Sequence, residues 1–341
     1  MNSLASSTRQ LAPGLTFVAL LAGVSTWGSW APPLVALRIS PLIVGILLGV
    51  AIGNLTGTRL PQSWSAGITF SAKKVLRLAI ILYGFRITFS QVAAIGLEGV
   101  LLDVLMVAST LLLGAFLGTR VFGLDKETAL LTSAGAAICG AAAVIATEPV
   151  VRAKTHQTAL AVATVVLFGT LSMFLYPIAY RAGLVPLSEE VFGVYIGASV
   201  HEVAHVVGAG EAVSPLTADT AVIVKMTRVM LLAPALLVLS WILSRQGGDK
   251  AEDKSALVIP WFAVGFIAVA GLNSLSLLSE TVVASLITLD TFLLTMAMSA
   301  LGLTTVLSQF KGIGWGPIRL AFCLALWLVF GGFALTRLLI A

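Results

Sequence analysis

The chain has 341 residues, 58% hydrophobic and only 10% charged, and its mean hydropathy is +1.04. Soluble domains carry about 25% charged residues and about half apolar ones, so composition excludes a water-soluble globule, a disordered chain and a nucleic-acid binder. The net charge of +5, from 20 basic and 15 acidic residues, is too sparse for a nucleic-acid footprint and suits the orientation of a membrane protein.

A spanning helix needs about 20 apolar residues, so with short connections the chain holds about eleven spans and no soluble catalytic domain. In chain order, apolar runs predict spans at 12–30, 34–53, 68–89, 91–119, 128–147, 155–180, 187–207, 218–244, 257–278, 281–304 and 316–338. The first follows a lone Arg9 and ends at Gly28-Ser29-Trp30-Ala31-Pro32-Pro33 without a small-x-small cleavage pattern, which predicts an uncleaved helix rather than a signal peptide. The longest polar connection is 244–255. The two cysteines, Cys139 and Cys323, lie inside apolar runs and form no disulfide framework.

Eleven spans place Arg9, Arg59, Lys73, Lys74, Arg77, Arg120, Lys126, Arg181, Arg245, Lys250, Lys254, Lys311 and Arg319 on one side, and Arg38, Arg86, Arg152, Lys154 and Arg337 on the other. Basic residues accumulate on the cytoplasmic side, which predicts a cytoplasmic N-terminus and an outside C-terminus. The organisation expected is an extra helix at 1–33, then two five-span halves, 34–180 and 187–338, of nearly equal length. An odd number of spans gives the halves opposite topology, the inverted repeat of many secondary transporters.

The fourth span of each half is rich in small residues: SAGAAICGAAAVIA at 133–146 and MAMSALGLTT at 296–305. Such segments serve either close helix packing or a helix broken at mid-membrane, whose free N–H groups face an anion. Lys225 and Arg228, three apart within a span, share one helix face and either snorkel to the surface or line an anion path. Asp103 and Asp290 are salt-bridge partners or interfacial, and Arg86 reads as interfacial. His201, Glu202 and His205 spell HExxH, which on a helix can bind zinc with Glu202 as general base. The same histidines can instead be titratable donors to an oxyanion or a proton, or packed polar residues at a span end.

The segments 133–146, GASVHEVAHVV at 197–207, AVIVKMTRV at 221–229 and AMSALGL at 297–303 resemble the YeiH-like family of bacterial inner-membrane proteins, from about Pro41 to the C-terminus. The resemblance implies a plasma-membrane transporter, proposed to export sulfate, with a crossed-helix fold like that of the bile-acid/sodium symporters. It implies that the crossed elements are the Cys139 and Gly302 segments. The family commonly has glutamine where this chain has His205, which argues against a zinc site.

The expected molecule is therefore an all-α polytopic transporter that moves a small inorganic or organosulfur anion, sulfate first, by alternating access. It is not an enzyme and uses no cofactor or metal. Ser133, Cys139 and Gly140 are expected to line the first broken helix, and Ser299 and Gly302 the second. His201, Lys225 and Arg228 supply positive charge or donors, and Glu202 orients or deprotonates His201. Sulfate suits backbone N–H clusters plus a cation, because a dianion cannot be left unpaired at low dielectric. The partners are the anion and the bilayer, with no nucleic acid. A coupling ion (H+ or Na+) and a homo-oligomer are left open. The alternatives are an intramembrane zinc protease and an anion channel.

Overall fold

The computed structural model describes residues 2–32, 34, 39–56, 60–246, 260–306 and 314–340, with side chains from Gln10 onward. Among these residues all regular structure is helical. In chain order the helices are α1 (Asn2–Gly28), α2 (Pro41–Thr56), α3 (Gln62–Phe70), α4 (Leu76–Tyr83), α5 (Phe89–Ala94), α6 (Gly96–Phe116), α7 (Lys126–Ala137), α8 (Ala141–Val151), α9 (Thr155–Arg181), α10 (Glu189–Ser199), α11 (Val203–Glu211), α12 (Pro215–Met230), α13 (Leu232–Gln246), α14 (Trp261–Ser274), α15 (Glu280–Thr304), α16 (Trp315–Leu326) and α17 (Gly332–Leu339). Single π-turns join α3 to α4 at Ser71–Val75 and α16 to α17 at Trp327–Gly331. Among the described residues six stretches are helical, long and apolar enough to cross a bilayer: Gln10–Gly28, Gly96–Val121, Thr155–Arg181, Pro215–Arg245, Glu280–Thr304 and Trp315–Leu339. The topology expected from charge rests partly on Arg38, Arg59, Lys250, Lys254 and Lys311, which lie outside the described residues, as does the connection 244–255 from residue 247 on.

The chain divides into two compact units. The first comprises Met1–Gln91 and Phe262–Lys311. Its centre is the packing of α2 on α15, and the sequence sets how close they come. Gly45, Gly49 and Gly53 recur every four residues along one face of α2. A Cβ at Gly49 would lie 2.3 Å from the Ser299 carbonyl oxygen, and one at Gly302 would lie 2.4 Å from that of Ile46. The backbones therefore meet with no side chain between them, the small-residue packing usual in membranes. Gly14 and Gly67 do the same where α1 meets α3. Asp290, fully buried on α15, accepts a 3.0 Å hydrogen bond from Arg86 Nε, while Arg86 Nη2 donates to Thr291 Oγ1 at 2.6 Å. Arg86 and Asp290 are thus salt-bridge partners.

The segment 296–305 corrects one expectation. It does not break: α15 runs without interruption from Glu280 to Thr304. Ser299 gives its hydroxyl hydrogen to the Thr295 carbonyl at 2.8 Å, and its Oγ lies 2.7 Å from where a Gly45 Cβ would sit. Ser299 and Gly302 do not line a second broken helix; their small size serves contact with α2.

The second unit comprises Val92–Trp261 and Gly312–Ala341. Local signals start its helices. Asp125 caps α7 by accepting the Thr128 N–H at 2.9 Å. Ser188 caps α10, with Glu189 and Glu190 in the first turn where the helix dipole favours acids. Ser214 caps α12, with Pro215 as the first helical residue. Leu102, Met106, Ala136, Ala198, Val224 and Leu324 share one buried cluster, so α6, α7, α10, α12 and α16 enclose a common core. Ser133 hydrogen-bonds the Ala129 carbonyl at 2.6 Å, and its Oγ lies 2.1 Å from where a Gly114 Cβ would sit. It therefore belongs to the α6–α7 contact, four residues before α7 ends.

Candidate functional site

Two helices of the second unit are broken at buried positions. The first break, expected from the sequence, is Ile138-Cys139-Gly140 between α7 and α8. Gly140 has φ 74° and ψ −136°, a conformation that disfavours any residue with a Cβ. A Cβ at Gly135 would lie 2.7 Å from Val144 Cγ2, so α8 packs back closely against the last turn of α7. The second break is Val200-His201-Glu202 between α10 and α11, with Val200 and Glu202 in extended conformation. This is the other broken element, in place of the Gly302 segment.

Each break leaves the last carbonyls of one half-helix and the first amides of the next without intrahelical partners. Such groups at low dielectric must be satisfied. The carbonyls are satisfied by α12. Lys225 Nζ donates to the Ile138 carbonyl at 2.8 Å and the Val200 carbonyl at 2.7 Å, bridging the two C-caps. One turn on, Arg228 donates through Nε to Ala137, through Nη2 to Ala136 at 3.2 Å and through Nη1 to Ala198. Both cations are fully buried, so neither snorkels. Their spacing of three puts both on the face of α12 where two negative helix ends converge. Gly197 admits this approach: a Cβ there would lie 2.5 Å from the Ala221 carbonyl oxygen.

The amide side is met by a carboxylate. Glu202 Oε1 accepts the N–H of Ala141, the first residue of α8, at 2.9 Å. Cys139, in the first break, is itself buried. A Cβ at Gly140 would lie 2.1 Å from Glu202 Cγ, a second reason for glycine there. Glu202 Oε2 stands 3.8 Å from His205 Nδ1. The expected Glu202–His201 pairing is replaced by Glu202–His205, because Glu202 is the N-cap of α11 and His205 lies three residues in, on the same side. His201 is 2% exposed, and its Nδ1 has no hydrogen-bond partner among the described residues.

HExxH also reads differently here. Zinc ligation by that motif needs both histidines on one helix, one turn apart. The chain is extended at Val200 and at Glu202 and helical again only from Val203, so the motif does not present its histidines in that way.

Cys139, Gly140, His201, Glu202, Lys225 and Arg228 thus gather about the two breaks, whereas Ser133 serves the α6–α7 contact and Ser299 and Gly302 lie in the first unit. Three further residues join them. Gly169 on α9 makes room for the His205 imidazole, since a Cβ there would lie 2.5 Å from Nδ1. Thr170 Oγ1 lies 3.4 Å from His205 Nε2. Asp103 on α6 is fully buried, neither carboxyl oxygen has a hydrogen-bond partner among the described residues, and the cations acting on it are Arg228 and Lys225. The small-and-hydroxyl run Gly169-Thr170-Leu171-Ser172 inside an apolar helix was the available signal for the first two.

A model of the family described as conserved hypothetical protein 698 matches residues 13–321. The UPF0324 inner membrane protein YeiH of Escherichia coli strain K12 is 50% identical over 323 residues, covering 95% of this chain and 93% of its own. The protein of the same name from Salmonella typhimurium is 49% identical over 96% of this chain and 94% of its own. A UPF0324 membrane protein of Bordetella pertussis is 49% identical over 95% of this chain and 94% of its own.

Proposed function

The chain belongs to the conserved hypothetical protein 698 family, and from that premise we propose that it is a bacterial inner-membrane secondary transporter of a small oxyanion, sulfate first among them. The observation that carries the reading is the junction itself: two broken helices whose C-terminal ends are held by Lys225 and Arg228, with the first amide of α8, that of Ala141, bonded to Glu202. Helices broken at membrane depth are a recurring device of secondary transporters. Non-helical backbone is tolerated there where protein or a cavity satisfies it, and half-helix N-termini in transporters point at anionic substrate groups.

The relatives named as inner membrane proteins support that location. In this reading the helices make eleven crossings, with the N-terminus in the cytoplasm and the C-terminus outside. The five-crossing halves 34–180 and 187–338 are retained in the proposal as inverted topology, without the equivalence of their fourth spans. The substrate class follows from the chemistry. Amides at a half-helix N-terminus and a cationic surround favour a compact anion with several acceptor oxygens. Alternating access then exposes this junction to each side in turn.

The test is an anion series on purified protein in detergent. Sulfate and other divalent oxyanions should raise the thermal unfolding midpoint in a saturable way, while chloride at equal ionic strength should not. A binding-linked rise reaches about 2.7 kcal/mol at 100 times the dissociation constant. Equal shifts for all salts would refute a dedicated oxyanion site.

A further inference from the structure

The end of α8 that should receive an anion already holds one. Glu202 Oε1 accepts the Ala141 N–H at 2.9 Å, and the side chain fills the space beside Gly140. Glu202 is 14% exposed along its side chain, whereas His205 is fully buried. His205 Nδ1 is without a hydrogen-bond partner among the described residues and faces Glu202 Oε2 across 3.8 Å. That separation is too long for a hydrogen bond, so the two groups are not bonded to each other.

The charges around Glu202 come from several elements. His201 and His205 flank it on its own segment, Cys139 faces it from the first break, and α12 brings Lys225, with Arg228 one turn further. Asp103 on α6 faces the same two cations, while α9 contributes Thr170, which does not titrate. Ionised, the two carboxylates formally balance the two cations. An entering anion finds the Ala141 amide taken and no net positive charge to meet it.

Resting on the transport reading above, we propose that Glu202 is a tethered anion that the transported oxyanion displaces, and that one proton taken up by the Glu202–His205 pair accompanies each displacement. The step balances simply. The anion takes over the Ala141 N–H, and the Glu202 carboxylate leaves it. A proton from water joins the carboxylate or the imidazole, and closing the 3.8 Å gap lets the two share it. No covalent bond to the substrate forms or breaks. The protein is then a proton–anion cotransporter, with the competitor for its substrate built into the chain.

The experiment uses the purified full-length protein in weakly buffered detergent with a pH indicator, titrated with sulfate. Wild type should take up about one proton per sulfate bound, and its affinity should rise about tenfold per unit fall in pH over the coupled range. Glu202→Gln should lose the proton uptake, bind sulfate more tightly than wild type at pH 8, and show affinity independent of pH. Proton uptake unchanged in Glu202→Gln would overturn the proposal. So would a folded Glu202→Gln protein that no longer binds sulfate, since Glu202 would then be a ligand and not a competitor. Should Glu202→Gln fail to fold, wild type alone decides: sulfate binding without proton uptake, equal at pH 6 and pH 8, overturns the coupling while leaving the transport reading intact. No sulfate binding by wild type at any pH would overturn both.

Discussion

Arg228→Met isolates what holds the junction together. The guanidinium donates to three main-chain carbonyls, those of Ala136 and Ala137 at the end of α7 and of Ala198 at the end of α10. Each helix end carries roughly half a negative charge, so the fully buried Arg228 and Lys225 sit where about one unit of negative charge converges. Methionine fills similar space without donors. Each buried carbonyl left unsatisfied costs about 1–3 kcal/mol. Three at the low end give about 3 kcal/mol, and removing one partner from a buried ionic cluster costs about 3–5 kcal/mol. The two estimates meet near 3–5 kcal/mol, a fall in the apparent unfolding midpoint on the order of 10 °C. Differential scanning in detergent reads it, with the exposed Arg319→Met as control, expected within about 0.5 kcal/mol of wild type. Arg228→Lys should fall between, because an ammonium keeps the charge but not the fork that reaches both helices. Arg228→Met as stable as wild type would mean that the carbonyls are satisfied otherwise and that the cations do not hold the breaks.

Gly140→Ala combines an unfavourable backbone conformation at φ 74° with a Cβ 2.1 Å from Glu202 Cγ; it should cost about 1–3 kcal/mol and, by expelling Glu202, change the sulfate-dependent shift in unfolding midpoint. Gly49→Leu forces α2 off the Ser299 carbonyl and should destabilise by about 1–3 kcal/mol or more, whereas Gly23→Leu, with nothing within 4 Å of its Cβ, should unfold like wild type. Asp125 lies between membrane spans. Burial pushes its carboxyl up, but hydrogen bonds from Thr128 and Gln157 outweigh this and hold it below its ordinary 3.8. The stability from that cap is therefore full above about pH 4 and is lost as pH falls through the lower folded value. Asp125→Ala should cost about 1 kcal/mol at pH 7, and its thermal midpoint should approach that of wild type in acid; a gap that widens on acidification would contradict the sign.

The first break was legible because Gly135 and Gly140, the residues least costly to take out of a helix, sit in a run of small residues bounded by Glu148 and Pro149. The second was concealed. Val200-His201-Glu202 has no glycine or proline, and its HExxH spelling suggests a helix. What breaks it is tertiary: the Val200 carbonyl is drawn to Lys225, and the Glu202 side chain reaches Ala141 instead of capping its own helix. The 296–305 segment misled in the opposite way. Small residues signal close approach without saying whether to a ligand or to another helix, and the answer lay in the matching glycines of α2, 250 residues earlier in the chain by rough count. The importance of Lys225 and Arg228 could be read from their cost in a membrane. Their first partners could not, because main-chain carbonyls leave no mark in the sequence.

The central claim is oxyanion transport through the junction, and labelled sulfate flux in proteoliposomes tests it most directly. Vesicles loaded with unlabelled sulfate should accumulate external label by counterflow, with saturable kinetics, and excess unlabelled sulfate outside should compete. The same vesicles should lose that flux with Arg228→Met protein that still inserts. Flux no greater than that of protein-free vesicles, for sulfate and for other small oxyanions alike, would contradict the account.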